Sequence, residues 1–442
     1  MRKRLSILLS ALCALCVTMN AQDYARLSER SLMGTARYVG MGGAMTAIGG
    51  DPSAVSDNPA GLGLYQRWEI ITTLDAQIDR TYMDGLNPSR RNWFTCTHAS
   101  LVFALPTYST SENGVQFNNL LFSYRRLHSF HRSFAAGGTD GASLGALVNT
   151  PTIGWDIPFC TDPTNATHSL KLNESGYVNE YAIDWSINIG HKWYVGAGLR
   201  IQSYSFSADA IYYETFSTRN LDGERYDIEN KTSQFFSGAG CNLALGLIYR
   251  PAKWVRLGLS MQTPSLGTVR TSTYGTFSAL TDTLRYSYAP DLNYTDRNFH
   301  MPWRTSASVA FQCGAYGLLS LQYDFAHGAY RDDTHSLRTG LEIIPVMGMY
   351  INAGYAFEST FKGTTPAGMD PTFDRQDTYS VLPRWTQYAS CAIGYRGSFF
   401  IIQAAYQYRW QRVDMYAHEA ANPYDVHTDT HRIVVTLGWH NN

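Results

Sequence analysis

Charged residues are scarce in this 442-residue chain. They make up 16% of it, against roughly 25% in a typical soluble domain, and the formal net charge is −1. No basic run follows Arg2-Lys3-Arg4, which argues against a nucleic-acid partner. No stretch offers the ~18 or more consecutive apolar residues of a membrane-spanning helix. Cysteines beyond the leader are few and far apart: Cys96, Cys160, Cys241, Cys313 and Cys391. An odd number at such spacing is neither a disulfide framework nor a zinc site. Cys241, Cys313 and Cys391 fall in predicted strands, and Cys96 and Cys160 in predicted loops, which leaves a bridge between those two open. Aromatics, by contrast, are plentiful at 14%, with 30 tyrosines. A charge-poor, aromatic-rich chain without a spanning helix has the composition of a β-barrel in a membrane.

Residues 1–21 read as a secretory signal: a basic start, an apolar run from Leu5 to Val17, and a cleavage site near Ala21, with Met19 larger than the −3 position prefers. Neither Cys13 nor Cys16 follows a small residue, so a lipoprotein site is not indicated. From Gln66 onward the dominant signal is alternation with period two. Trp193, Val195, Ala197, Leu199 and Ile201 make one face; Tyr194, Gly196, Gly198, Arg200 and Gln202 make the other. Fourteen strands are predicted, at 66–76, 98–107, 115–126, 177–189, 193–208, 236–250, 253–264, 302–313, 317–328, 334–344, 347–358, 384–395, 398–411 and 430–440. Most have the ~9–11 residues that a tilted strand needs to cross a bilayer. Short links such as Gly190-His191-Lys192, Pro251-Ala252 and Arg396-Gly397 alternate with long ones (77–97, 127–176, 209–235, 265–301, 359–383, 412–429). That is the pattern of an outer-membrane barrel with tight periplasmic turns and long external loops, and an even strand count puts both termini in the periplasm. The expected fold is all-β: a 14-stranded antiparallel transmembrane β-barrel over 66–442. Trp193, Trp254, Trp303, Trp385, Trp410 and Trp439 near strand ends fit an aromatic girdle. A soluble secreted all-β protein is the competing fold, and it leaves the alternation of link lengths unexplained.

Residues 22–65 match neither period. Ser31–Leu64 is rich in Gly and Ala and ends in Asn58-Pro59-Ala60-Gly61. Such a segment can pack against a wall without completing regular structure, and a closed barrel of 14 strands is too wide for its own side chains to fill. The expectation is an N-terminal hatch in the lumen. Through Asp51-Pro52-Ser53-Ala54 and Asn58-Pro59-Ala60-Gly61 the chain resembles the FadL/TodX family of outer membrane transporters for hydrophobic compounds. The resemblance implies a 14-stranded barrel with an N-terminal hatch. It further implies passive uptake of small hydrophobic molecules such as long-chain fatty acids or aromatic hydrocarbons, without a cofactor. A kinked third strand opens some members sideways to the membrane, and Asn118-Asn119 is the candidate kink here, set against two ordinary lumenal or edge polar residues. Other readings are a barrel scaffold or shuttle for exported proteins in a secretion system, and a haem-capturing receptor.

Inward-facing charges are the remaining candidates: Glu180, Asp184, Arg200, Arg256, Arg304, Asp324, Arg338, Glu342 and Arg409. Arginine can take a carboxylate through paired hydrogen bonds, and Arg200, Arg256 and Arg304 are the candidate lumenal ligand contacts. The mixed signs favour a network tying wall to hatch instead. Gly141-Ala142-Ser143-Leu144-Gly145 satisfies the nucleophile-elbow pattern but lacks the strand before and helix after that the chemistry needs, so no enzyme is expected. Loop histidines (His128, His131, His418, His427, His431) have no spacing that imposes metal geometry, and no metal site is assigned. The expected partners are a hydrophobic small molecule and outer-membrane lipid, with the protein a monomer.

Overall fold

The computed structural model describes residues 27–83, 88–107, 111–138, 166–216, 226–281, 285–288, 293–328, 331–360, 380–416 and 424–441. The leader, Ser143, Cys160 and His418 lie outside them. Eighteen ladder segments join into one antiparallel sheet that closes on itself, a transmembrane barrel of fourteen wall strands. The strands are β1 Glu69–Met83, β2 Ser89–Phe103, β3 Val115–Ser129 continued by Arg132–Gly138, β4 Ala166–Ile189, β5 Trp193–Phe216 and β6 Tyr226–Ala252. Then come β7 in two pieces, Val255–Gln262 and Leu266–Thr281, and β8 in three, Arg285–Tyr288, Asn293–Phe299 and Trp303–Cys313. The last six are β9 Gly317–Gly328, β10 Arg331–Ile343, β11 Met349–Thr360, β12 Ser380–Arg396, β13 Phe400–Tyr416 and β14 Tyr424–His440. Closure runs from Glu69 opposite His440 to Met83 opposite Val426.

The turn ends of the strands fall close to the expected positions. At the β4–β5 turn, the three-residue link Gly190-His191-Lys192 closes the ladder at Ile189 opposite Trp193, and Gly190 and His191 both take positive φ, 57° and 53°, the left-handed backbone of a tight hairpin turn. The other ends do not. Residues 77–97, 127–176, 209–235, 265–301 and 412–429, expected as loops, carry strand over much of their length, so β4 and β5 reach 24 residues each and β6 reaches 27. The physical reason is visible in β5. Its alternation continues past Gln202 in unchanged phase, but the polarity of its two faces inverts. Up to Ile201 the outward side chains are Trp193, Val195, Leu199 and Ile201, all exposed, while Arg200 and Gln202 are buried inside. Beyond, the outward positions are Ser203, Ser205, Ser207 and Asp209, and the inward ones Tyr204, Phe206 and Ala208 are buried; farther out Ala210, Tyr212 and Phe216 stay buried inside together with Glu214, and Tyr213 is exposed outside. An apolar outer surface belongs in lipid and a polar one in water, so β5 leaves the membrane near Ser203 and carries on as a wall with a greasy inside.

The exposed apolar band ends at the short-turn side in Trp68, Trp193, Trp254, Phe400 and Trp439, an aromatic girdle of the kind found at membrane interfaces. Cys241, Cys313 and Cys391 are exposed and free, and Cys96 is a free thiol as well. Cys96 Sγ donates to the carbonyl of His98 at 3.6 Å.

Candidate functional site: the lumen and its N-terminal segment

Residues 27–65 lie inside the barrel, almost wholly buried. Two short helices and a 3₁₀ turn organise them: α1 Ala36–Gly40, α2 Pro52–Asp57 and the turn Pro59–Leu64. The two motifs read in the sequence are two successive helix starts. Asp51 caps α2, accepting from Ser53 N at 2.9 Å and Ala54 N at 3.4 Å, with Pro52 at the first position. Asn58 caps the 3₁₀ turn, accepting from Ala60 N at 3.1 Å, with Pro59 first. Proline fits there because the first helical N–H has no partner to lose. The Asn58 amide also donates to Thr46 O at 2.8 Å, so this residue ties two parts of the segment together. Thr35 Oγ1 donates to both Asp51 oxygens, at 2.8 and 2.7 Å.

Wall residues around the circumference hold the segment by its backbone. Asn119 of β3 donates to Leu62 O at 2.8 Å and Tyr65 O at 2.9 Å. Arg125 reaches Met33 O and Ser53 O at 3.1 and 3.3 Å, and Arg432 of β14 reaches Leu32 O at 2.7 Å. Where the segment touches the sheet most closely the wall has glycine. A Cβ on Gly246 would overlap Asn58 Oδ1, and one on Gly354 would overlap Gly42 N.

The three candidate arginines are set into this same interface. Fully buried Arg200 pairs with Asp184 at 2.6 Å and donates to Val55 O and Ser56 O, both at 3.3 Å. Arg256 donates to Ile48 O at 3.1 Å and Arg304 to Ser28 O at 3.2 Å. Each thus grips a different stretch of the segment. Other inward charges do likewise: Arg37 of the segment makes a bidentate pair with Glu342, at 2.7 and 2.9 Å. Arg338 bonds Asp324 at 2.9 Å. Tyr38 hydrogen-bonds Asp57, which also takes Arg125 at 2.9 Å. Burial, with the Asp57 carboxylate beside it, pushes the Tyr38 phenol up to about 12. Burial alone would raise the Asp57 carboxyl, but Arg125 and Arg338 outweigh it and hold it below the usual carboxylate range. A polar cavity of about 50 Å³ beside this cluster is lined by Arg30, Arg125, Arg304, Asp324 and Arg338, among others. That is room for a few waters.

Above the segment the interior changes character. Leu127, Phe130, Leu170, Leu172, Tyr204, Phe206, Tyr212, Phe216, Phe236, Val269, Phe299, Val381, Met415 and Val426 form one buried apolar cluster. It joins the outer parts of β3 to β8 with those of β12 to β14. Tyr424 of β14 packs against it. This lining was missed in the sequence, although the alternation 204–216 carries it.

The third strand is irregular, though not as expected. Asn118 is exposed and accepts from Trp185 Nε1 at 2.5 Å, whereas Asn119 is fully buried and latches the N-terminal segment. The breaks lie on either side, where the β3–β4 register shifts at Val115/Phe117 and again at Arg126/His128. Between β2 and β3 the ladder runs only from Phe103 opposite Leu120 to His98 opposite Arg125. Farther out the two strands are joined by side chains, with Arg126 Nη1 donating to Thr95 Oγ1 at 2.7 Å and Arg91 Nη1 to Arg132 O at 3.3 Å. Of the loop histidines, His128 meets Ser31 Oγ at 2.9 Å, His131 lies against Trp93, His427 stacks on Tyr82 and His431 bonds Tyr406 at 2.7 Å. Among the described residues no three His, Cys, Asp or Glu side chains gather as a metal site.

No protein-family model matches the chain, and no curated protein sequence does either. Solved structures do. A Pseudomonas aeruginosa FadL homologue superposes with a TM-score of 0.55 at 12% identity, covering 93% of this chain and 99% of that one. The Ralstonia pickettii toluene transporter TbuX gives 0.55 at 13% identity, with 93% and 99% covered. The chain has the FadL/TodX fold. The Pseudomonas putida toluene transporter TodX gives 0.52 at 13% identity over the same shares. The likeness covers 93% of this chain and 99% of each of these structures.

Proposed function

We propose that the protein is a passive outer-membrane transporter for small hydrophobic molecules, with residues 22–65 as its hatch, residues 1–21 as a cleaved signal and both termini periplasmic. The polarity inversion along β5 supports this most directly. A wall that is polar outside and apolar inside, standing clear of the membrane, gives a greasy molecule a place out of water before it reaches the bilayer. Burying apolar surface there gains about 25 cal/mol per Å², with no need of an energy source. Below it the hatch blocks the straight path, since arginines and asparagines around the wall bind its carbonyls.

The way out is then sideways, through the β2–β3 seam, where side chains replace the ladder. A groove of about 510 Å³ on the lipid face beside it is lined by Ile70, Leu101, Phe122, Tyr181, Ile183 and Leu199, among others. In this reading Arg200 and Arg256 hold the hatch, and Arg304, at the polar cavity, is the one arginine of the three placed to meet a polar ligand group. The protein acts as a monomer, without a cofactor.

Uptake of radiolabelled toluene and of a long-chain fatty acid by intact cells, with the gene deleted and restored, tests the proposal. Slower uptake of at least one on deletion, recovered on restoration, is expected. Unchanged uptake of both, with no hydrophobic molecule co-purifying with the barrel, overturns it.

A further inference from the structure

The apolar mouth contains a small polar set on β4, β5 and β6. Two cross-strand rows hold it: His168 opposite Glu214 opposite Ile228, and Leu170 opposite Tyr212 opposite Asn230. His168 and Tyr212 are each 3% exposed, and Glu214 is fully buried. His168 Nδ1 meets Tyr212 OH at 2.7 Å and lies 3.8 Å from Glu214 Oε1. The other ring nitrogen, Nε2, is buried and has no hydrogen-bond partner among the described residues. Leu170, Leu172, Tyr212 and Phe216 belong to the apolar cluster around it. An unpaired polar atom in such surroundings is costly, so something that passes or rests here has a reason to bond it.

We propose that His168 is a specificity-determining contact for ligands carrying one uncharged oxygen function, a phenolic or alcoholic hydroxyl, on an apolar body. The pairing with Tyr212 suits this role. If the phenol donates to Nδ1, Nε2 carries the proton and donates; if Nδ1–H donates to the phenol oxygen, Nε2 accepts. A hydroxyl can answer either form, being both donor and acceptor, and a hydrocarbon can answer neither. Burial holds the imidazole pKa below its ordinary value, so His168 is neutral at pH 7 and offers a carboxylate no countercharge. The Glu214 carboxylate nearby works against an anion as well. The inference rests on the uptake reading and narrows its ligand class.

The test is ¹⁹F NMR binding to the purified full chain in micelles, with three probes of one shape: 4-(trifluoromethyl)phenol, (trifluoromethyl)benzene and 4-(trifluoromethyl)benzoate. One buried hydrogen bond corresponds to about tenfold in affinity, so the phenol is expected to bind about tenfold tighter than the other two. In His168→Leu the phenol preference falls to about one while the (trifluoromethyl)benzene affinity stays. Tyr212→Phe keeps the ring packing and removes the partner of Nδ1, and it lowers the preference partway. It serves as the readout if His168→Leu does not fold. A phenol preference unchanged in both variants, or absent in the wild type, overturns the inference. Because binding is read apart from cell uptake, a failure of the transport reading shows separately, as unaltered toluene and fatty-acid uptake with probe binding intact.

Discussion

Arg200→Met decides between two roles for the most deeply buried of the three arginines. Its guanidinium is 0% exposed, sits 2.6 Å from Asp184 and donates to two hatch carbonyls at 3.3 Å. Methionine fills the space but leaves Asp184 buried without its partner, and breaking a buried pair from one side costs about 3–5 kcal/mol. The two charged hydrogen bonds to Val55 O and Ser56 O are worth about 1.5 kcal/mol each. At about 1.4 kcal/mol per factor of ten, their loss alone shifts hatch docking by roughly a hundredfold. The double variant Arg200→Met, Asp184→Leu separates these effects. Removing both charges from the wall is close to neutral for the barrel, while the hatch still loses its two bonds. Urea unfolding of the reconstituted barrel, followed by tryptophan fluorescence, reads the wall. Protease cleavage of the N-terminal segment and single-channel conductance read the hatch. The single variant is expected to lose stability and cleave faster, and the double to recover stability yet still cleave faster. If Arg200→Met unfolds and cleaves like the wild type and loses only affinity for anionic ligands, the clamp argument is wrong and Arg200 is a ligand contact.

Asn119→Ala strips Tyr65 O of its side-chain donor and leaves Leu62 O with the Tyr65 N–H alone, and at about 1–3 kcal/mol for a buried group left unpaired it should speed cleavage near Tyr65 while leaving the wall's unfolding midpoint almost unmoved. Gly246→Val places a side chain where Asn58 sits; overpacking costs about 1–3 kcal/mol, and the hatch, being softer than a fourteen-strand ladder, should give way first, seen as raised conductance. Deleting residues 22–65 is expected to leave a barrel that still resists unfolding by sodium dodecyl sulfate without heat but conducts continuously. Phe206→Asp sets a charge into the apolar lining and should cut toluene uptake at least tenfold without releasing the hatch, which conductance would check.

The wall was legible in the sequence because alternation is a short-range signal. Trp193 to Gln202 shows its lipid and lumen faces without any knowledge of neighbours. The same rule, tied to an apolar face pointing outward, failed where β5 leaves the membrane. Tyr204 to Ala208 keeps the alternation with its apolar positions turned inward, while Asp209 to Phe216, where Glu214 faces in and Tyr213 out, was set aside as loop. The N-terminal segment was legible as an aperiodic, Gly-rich insert, and its two capped turns explain why Asp51-Pro52 and Asn58-Pro59 stand where they do. What Arg200, Arg256 and Asn119 bind was not legible, since their partners are carbonyls more than fifty residues away, and a carbonyl leaves no mark in a sequence. The β2–β3 seam is likewise a matter of register, which depends on where two bulges fall across strands.

The grip of Arg432 on Leu32 and of Thr436 on the amide of Ala36 spans 400 residues in each case, and that distance sets an order of assembly. The chain emerges N-terminus first, yet the segment made first is fastened in part by the strand made last. Loop-closure entropy grows only as the logarithm of length, about 0.6 kcal/mol per doubling, so the delay is kinetic more than thermodynamic, as expected where contacts are so non-local. Until β14 pairs with β1, the capped turns have no complete ring to dock in. Whatever delivers the chain to the membrane must therefore tolerate a segment of some forty residues that is held from only part of the ring until the last strand is in place.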